Sequence, residues 1–188
     1  MTFAVVGLGE VLWDLLPTGS QLGGAPANFA YHAAALGARA TMVTRVGNDD
    51  FGREVIRRLT QAKLPPETVQ VDPARPTGTV TTTLDDEGVA RYTLAEEAAS
   101  EQLVLTDATL QAVRAAHAVC FGTLGQRSAS ARKAIQQLLA AAPADAVNIF
   151  DINLRLNFYS HELIDESMRL SNSLKMNDEG KRHTTNGY

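Results

Sequence analysis

Short apolar runs alternate with longer segments of helical period down most of this chain, and that alternation narrows the fold more than any other feature. Phe3 to Leu8 is one such run, closed by Gly9, and its length and flanks read as a buried strand. Ala27 to Leu36 carries small apolar residues on all sides and stops at Gly37, the pattern of a tightly packed helix with a C-terminal glycine. Ala40 to Val46 is the next strand. Asp49 or Asp50 then caps a helix through Leu59 that gathers Val55, Ile56 and Leu59 on one face. The order resumes later: a helix from Thr106 or Asp107, a strand in AHAVCFG (116–122), and a helix from Ser128 to Ala142 ended near Pro143. A strand at Val147 to Asp151 and a helix at Ser160 to Leu170 complete it. Strands separated by helices imply a mostly parallel sheet covered on both faces, so the expected class is α/β.

One segment breaks the alternation. PTGTVTTTLDDEGVARYTLA (76–95) holds two β-rich runs around Asp85-Asp86-Glu87-Gly88, which predicts a hairpin inserted into the α/β pattern. No internal repeat or low-complexity stretch accompanies it. The final KRHTTNGY has no apolar periodicity, and residues 180–188 are expected to be disordered.

Composition excludes several function classes. The 188 residues are 45% hydrophobic, enough for one domain with a core. A net charge of −4 with scattered basic residues argues against nucleic acid as a partner. No window approaches a membrane span, and the N-terminal segment carries Glu10 and Asp14 where a signal peptide would be basic and then apolar, so a reducing cytoplasm is the expected location. Cys120 is the sole cysteine. Its apolar setting favours a buried structural thiol over a nucleophile and rules out a cysteine metal cluster.

GLGEVL (7–12) has part of a dinucleotide fingerprint, but Leu12 stands at the third glycine position and Pro17 and Gly19 forestall the helix. No Walker-type loop occurs. Asp14 follows the first apolar run, where ligands approach an open α/β sheet. Position alone leaves it either a solvated loop acid or an acceptor for two vicinal hydroxyls. In GGAPANFA (23–30), two glycines let backbone approach a ligand closely, and the Asn28 amide stands where a turn becomes a helix. Asp151-Ile152-Asn153-Leu154-Arg155 reads either as a strand-end turn held by Asx hydrogen bonds or as a polar cleft edge.

Gly23-Gly24, Pro26, Asn28, Ala30, Gly37 and Gly47 together resemble the first signature of the ribokinase-like sugar kinases, the PfkB family. GEVLWDLLP, the hairpin, FDINLR and LKMNDE follow in that family's order, and the whole looks most like the fructokinase branch, over residues 3 to 179. The resemblance implies a ribokinase-like domain over 1–179 with a small β lid at about 10–22 and 76–95. It implies an ATP- and Mg²⁺-dependent phosphotransfer to a sugar hydroxyl. Asp14, Gly23, Gly24 and Asn28 would then hold sugar, Asn153 and Arg155 would line the cleft, and Asn177 would open a metal–phosphate motif. The lid also commonly serves as a homodimer contact in that family. Here the second lid strand runs Tyr92-Thr93-Leu94-Ala95-Glu96-Glu97, where relatives carry an aromatic or Arg-Asp run, so the sugar's identity stays open.

The resemblance stops inside that last motif. Its N-x-x-E pattern begins at Asn177 but has Gly180 at the fourth place, and no D-T-x-G-A-G-D stretch occurs, so the family's catalytic base has no counterpart and Asp151 and Asp178 receive no role. A positioned base contributes about 10²–10⁴ in rate and one oxyanion-type donor about 10²–10³. The expectation is a C-terminally truncated kinase chain without useful turnover. The alternative is a non-catalytic fragment that binds sugar or pairs with another chain.

Overall fold

Alternate residues of Ala4–Leu8 (β1) feed two different cores, Val6 and Leu8 on one side of the sheet and Val5 on the other. Such two-sided burial belongs to parallel strands flanked by helices. The computed structural model describes residues 2–84, 90–154 and 158–177. Along the chain come Leu12–Leu16 (β2), Gly19–Gly23 (β3), Ala25–Ala35 (α1), Arg39–Gly47 (β4), Asp50–Gln61 (α2), Val69–Asp72 (β5), Gly78–Leu84 (β6) and Ala90–Leu94 (β7). They are followed by Asp107–Arg114 (α3), Ala118–Gly122 (β8), Ala129–Leu139 (α4), Val147–Ile152 (β9), His161–Arg169 (α5) and Ser173–Met176 (β10).

Six strands form an all-parallel sheet in the order β10-β9-β8-β1-β4-β5. Helices α3, α4 and α5 cover one face through Val113, Ile135, Leu138, Leu163 and Ile164, around the stacked rings of Phe121 and Phe150, 5.2 Å apart. Helices α1 and α2 cover the other through Ala27, Ala30, Val55 and Leu59. The α/β class expected from the sequence, a parallel sheet with helices on both faces, is the one observed. Side-chain caps start most of these helices: Asp49 accepts from the Gly52 N–H, Thr106 from Thr109, Ser128 from Ala131 and Ser160 from Leu163.

A second sheet, β3-β2-β6-β7, stands over the first. Trp13 of β2 roots it. The indole is 2% exposed, donates its Nε1–H to the Phe51 carbonyl at 3.2 Å, and carries the Arg58 guanidinium 4.7 Å above its ring. The strap into β6 is tied as firmly: Thr77 donates to Asp49 through its N–H (2.8 Å) and hydroxyl (2.7 Å) and accepts the Gly47 N–H at 2.9 Å. A Cβ at Gly47 would lie 2.6 Å from Arg75 O and Thr77 N, so this strap needs a glycine beneath it.

Several expectations need correction. Helix α1 begins two residues before Ala27, because Pro26 in a first turn needs no N–H partner. Helix α4 ends at Leu139, three residues before Ala142. Asp14 stands on a strand, which removes the loop-acid alternative; β2 and β3 fall in the lid element expected at about 10–22, whereas β5 and β10 have no counterpart in the sequence-based elements. All are short, and pairing with a neighbour holds them in place. The hairpin is present as β6 and β7, whereas its turn around Asp85-Asp86-Glu87-Gly88, Arg155, and the tail at 180–188 lie outside the described residues.

Candidate functional site

Between the two sheets lies a cleft of about 610 Å³. The period-2 geometry of β2 supplies its roof: Trp13 and Leu15 pack toward α1 and α2, while Leu12, Asp14 and Leu16 line the cleft. Gly23, Gly24 and Asn28 line it from the entry of α1, Cys120 and Asp151 from the sheet, and Asn153 from the end of β9. The structure thus brings Asp14, Gly23, Gly24, Asn28 and Asn153 to one cavity. Asn177 is exposed just beyond β10 and does not line it, and Arg155 lies outside the described residues.

Local geometry explains the paired glycines. A Cβ on Gly23 would lie 2.4 Å from Asp14 Oδ2, so any side chain there displaces the carboxylate. Gly24 adopts φ +109°, and a Cβ there would meet Glu10 O at 2.6 Å and Val11 Cα at 3.2 Å. The chain entering β2 and the chain leaving β3 cross at that point. Asn153 is set by backbone: its N–H donates to Asp151 O at 3.0 Å, and its carbonyl accepts the Thr123 hydroxyl at 2.7 Å. Both bonds are made by the Asn153 main chain, where the turn reading called for Asx side-chain bonds.

Charged or titratable groups that the sequence did not assign to the site also line the cleft, among them Lys175, Glu10 and Cys120. Lys175 of β10 grips Asp151 with Nζ 2.9 and 3.1 Å from the two carboxylate oxygens. It stands two residues before Asn177, and its largely exposed side chain reaches the cleft edge through Asp151. Glu10 is 5% exposed. Burial pushes its carboxyl up to about 7, helped by the negative charge of Asp151 and opposed by the Glu10 and Ala25 N–H groups and by Arg127. The Cys120 thiol is pushed up to about 12 by burial and by the charges of Asp151 and Glu10, which keeps it a protonated, structural group. Glu10 belonged to the failed dinucleotide pattern, and only its burial marks it.

No group of three or more His, Cys, Asp or Glu side chains among the described residues is arranged to hold a metal ion. Lys175 is a single ammonium, already engaged by Asp151. What the cleft can do is surround a small polyhydroxylated molecule with a carboxylate, an amide and glycine backbone.

Residues 18–186 match the family described as pfkB family carbohydrate kinase. A fructokinase from Klebsiella pneumoniae is 28% identical over 183 residues, covering 92% of this chain and 59% of that protein. Among solved structures, a fructokinase from Vibrio cholerae O395 in a fructose-, ADP- and calcium-bound form superposes with TM-score 0.79 at 26% identity, covering 100% of this chain and 64% of that one. An uncharacterized sugar kinase from Pyrococcus horikoshii shares the fold, with TM-score 0.83 at 24% identity over 97% of this chain and 65% of that one. The chain spans between about half and just over three fifths of the length of such curated relatives. No described helix is long and apolar enough to cross a membrane.

Proposed function

Because the chain belongs to the pfkB family of carbohydrate kinases, we propose that its cleft holds a sugar, with fructose the first choice, and that this chain alone binds without phosphorylating. The observation that carries the reading is the convergence of Asp14, the Gly23-Gly24 backbone and Asn28 beneath a β lid. A carboxylate accepts from two neighbouring hydroxyls, an amide both donates and accepts, and glycine lets the sugar lie against the chain. The sugar-bound Vibrio cholerae relative supports the choice of probe. In the whole-length kinase the reaction would be transfer of the ATP γ-phosphate to a sugar hydroxyl with Mg²⁺, dominated by positioning and electrostatics. The lid would exclude water from it, and two copies would pair through the lid. Asn153 and Arg155 would line the cleft beside the sugar, an arginine being suited to an anionic oxygen, and Asn177 would belong to the metal–phosphate motif.

Isothermal titration of the purified chain with fructose tests binding, and a coupled assay for ATP-dependent fructose phosphorylation tests turnover. Expected are measurable binding, a fivefold to tenfold loss in Asn28→Ala from about 1 kcal/mol of hydrogen bonding, and no turnover. A folded chain that ignores fructose overturns the sugar reading. Turnover like that of ordinary kinases overturns the inactivity.

A further inference from the structure

Helix α1 begins without a side-chain cap. Its N-cap is Gly24, no acidic residue stands in its first turn, and the Ala25 N–H must find an acceptor elsewhere. The carboxyl of Glu10, fifteen positions earlier in the chain, faces that N–H from the crossover between β1 and β2. Around it the packing leaves no slack. Gly24 lies against the Glu10 carbonyl, and a Cβ on Gly125 would come 2.9 Å from Glu10 Oε2 and 3.1 Å from Gly9 Cα. Oε2 itself is buried without a hydrogen-bond partner.

We propose that Glu10 is a positioning residue for the sugar site, its buried carboxyl seating the uncapped entry of α1 against the β1–β2 crossover so that Asn28 keeps its place opposite Asp14. This rests on the cleft being a sugar site. The uncharged carboxyl is the form that fits, since an ionised one would leave a desolvated negative oxygen unpartnered. The ionisable groups around it are Asp151 on β9, paired with Lys175 on β10, Cys120 on β8, and Arg127 after the turn that follows β8. Across the cleft stand Asp14 on β2 and Tyr92 on β7, with His32 further along α1. Arg127, the cation nearest in kind to a partner, is already engaged by the Ala95 carbonyl at 2.6 Å and by Glu101. An apolar residue of similar size would fill the space but offer the Ala25 N–H nothing.

The test compares wild type, Glu10→Gln, Glu10→Leu and His32→Gln between pH 5.5 and 8.5, by fructose titration and by exchange of the Ala25, Ala27 and Asn28 amides corrected for intrinsic rates. Wild type should bind fructose about tenfold more weakly at pH 8 than at pH 6. Glu10→Gln, neutral at every pH, should keep the low-pH affinity throughout, and Glu10→Leu should bind weakly throughout. The same wild-type profile in Glu10→Gln, unchanged affinity in Glu10→Leu, or loss of the profile in His32→Gln would each overturn the proposal. Should no folded variant bind fructose, the sugar reading fails and amide exchange decides the positioning role alone. Protection of Ala25–Asn28 that falls above pH 7 in wild type, but not in Glu10→Gln, supports it; wild-type protection that is flat with pH, or identical profiles in the two proteins, refutes it. If Glu10→Gln does not fold, the wild-type exchange profile still decides: protection at Ala25–Asn28 that holds steady from pH 6 to 8 while α4 is also steady refutes the role.

Discussion

Replacing Gly24 by alanine isolates the crossing on which the site is built. At φ +109° a residue with a Cβ costs about 1–3 kcal/mol in backbone strain. Its Cβ would also sit 2.6 Å from Glu10 O and 3.2 Å from Val11 Cα. Both are main-chain atoms, so no rotamer change relieves the contact, and overpacking of this kind costs a further amount of about 1–3 kcal/mol. The total, about 2–6 kcal/mol, should lower the melting temperature by roughly 10 °C in a chain of this size. Gly19→Ala is the matched control. Gly19 has φ +130° with nothing within 4 Å of where a Cβ would stand, so it carries the strain without the collision. Differential scanning fluorimetry of both variants separates the two contributions, and fructose titration reads the displacement of Asn28 from Asp14 as a loss of tenfold or more. If Gly24→Ala melts no lower than Gly19→Ala, the two chain segments do not cross tightly enough to exclude a methyl group. If its fructose affinity is unchanged, the crossing does not set the site.

Other perturbations follow from the same geometry. Phe121→Ala removes one ring of the buried Phe121–Phe150 stack and should cost about 3–5 kcal/mol, read by urea denaturation. Asp49→Ala removes the cap of α2 and both Thr77 contacts, for about 2 kcal/mol at neutral pH. Although burial raises the Asp49 carboxyl, the Thr77 and Gly52 hydrogen bonds outweigh it and hold the group below the ordinary value of 3.8. Its stabilisation is therefore present above that pH and lost as pH falls through the lower folded value, so the gap between wild type and Asp49→Ala should close on acidification. Glu10 has the opposite sign: with its folded value near 7 against an ordinary 4.5, it penalises the fold as pH rises between them, by about 3 kcal/mol, a slope that Glu10→Gln should flatten in a melting series. Lys175→Met strands the Asp151 carboxylate, and adding Asp151→Asn should restore part of the lost stability in a double-mutant cycle.

The parallel sheet and its helices were legible in the sequence because each rests on a local, periodic signal. Val5, Val6 and Leu8 form an apolar run, Asp49 caps, and Val55 and Leu59 recur at helical spacing, and these need no distant partner to be recognised. The spacing of Gly23-Gly24, Asn28, Gly37 and Gly47 carried the family in the same way. The resemblance placed GEVLWDLLP in a lid, but tertiary structure alone decided its facing: Leu12, Leu15 and Leu16 are apolar alike, and only the Trp13 anchor on α2 settles which of them faces the cleft and sends Asp14 there. It alone paired Lys175 with Asp151, 24 positions away, and buried Glu10 between an uncapped helix fifteen positions on and Gly125 beyond β8, neighbours that no local pattern announces. Local pattern is written in consecutive residues; the direction and charge state of a side chain are set by what the fold packs against it.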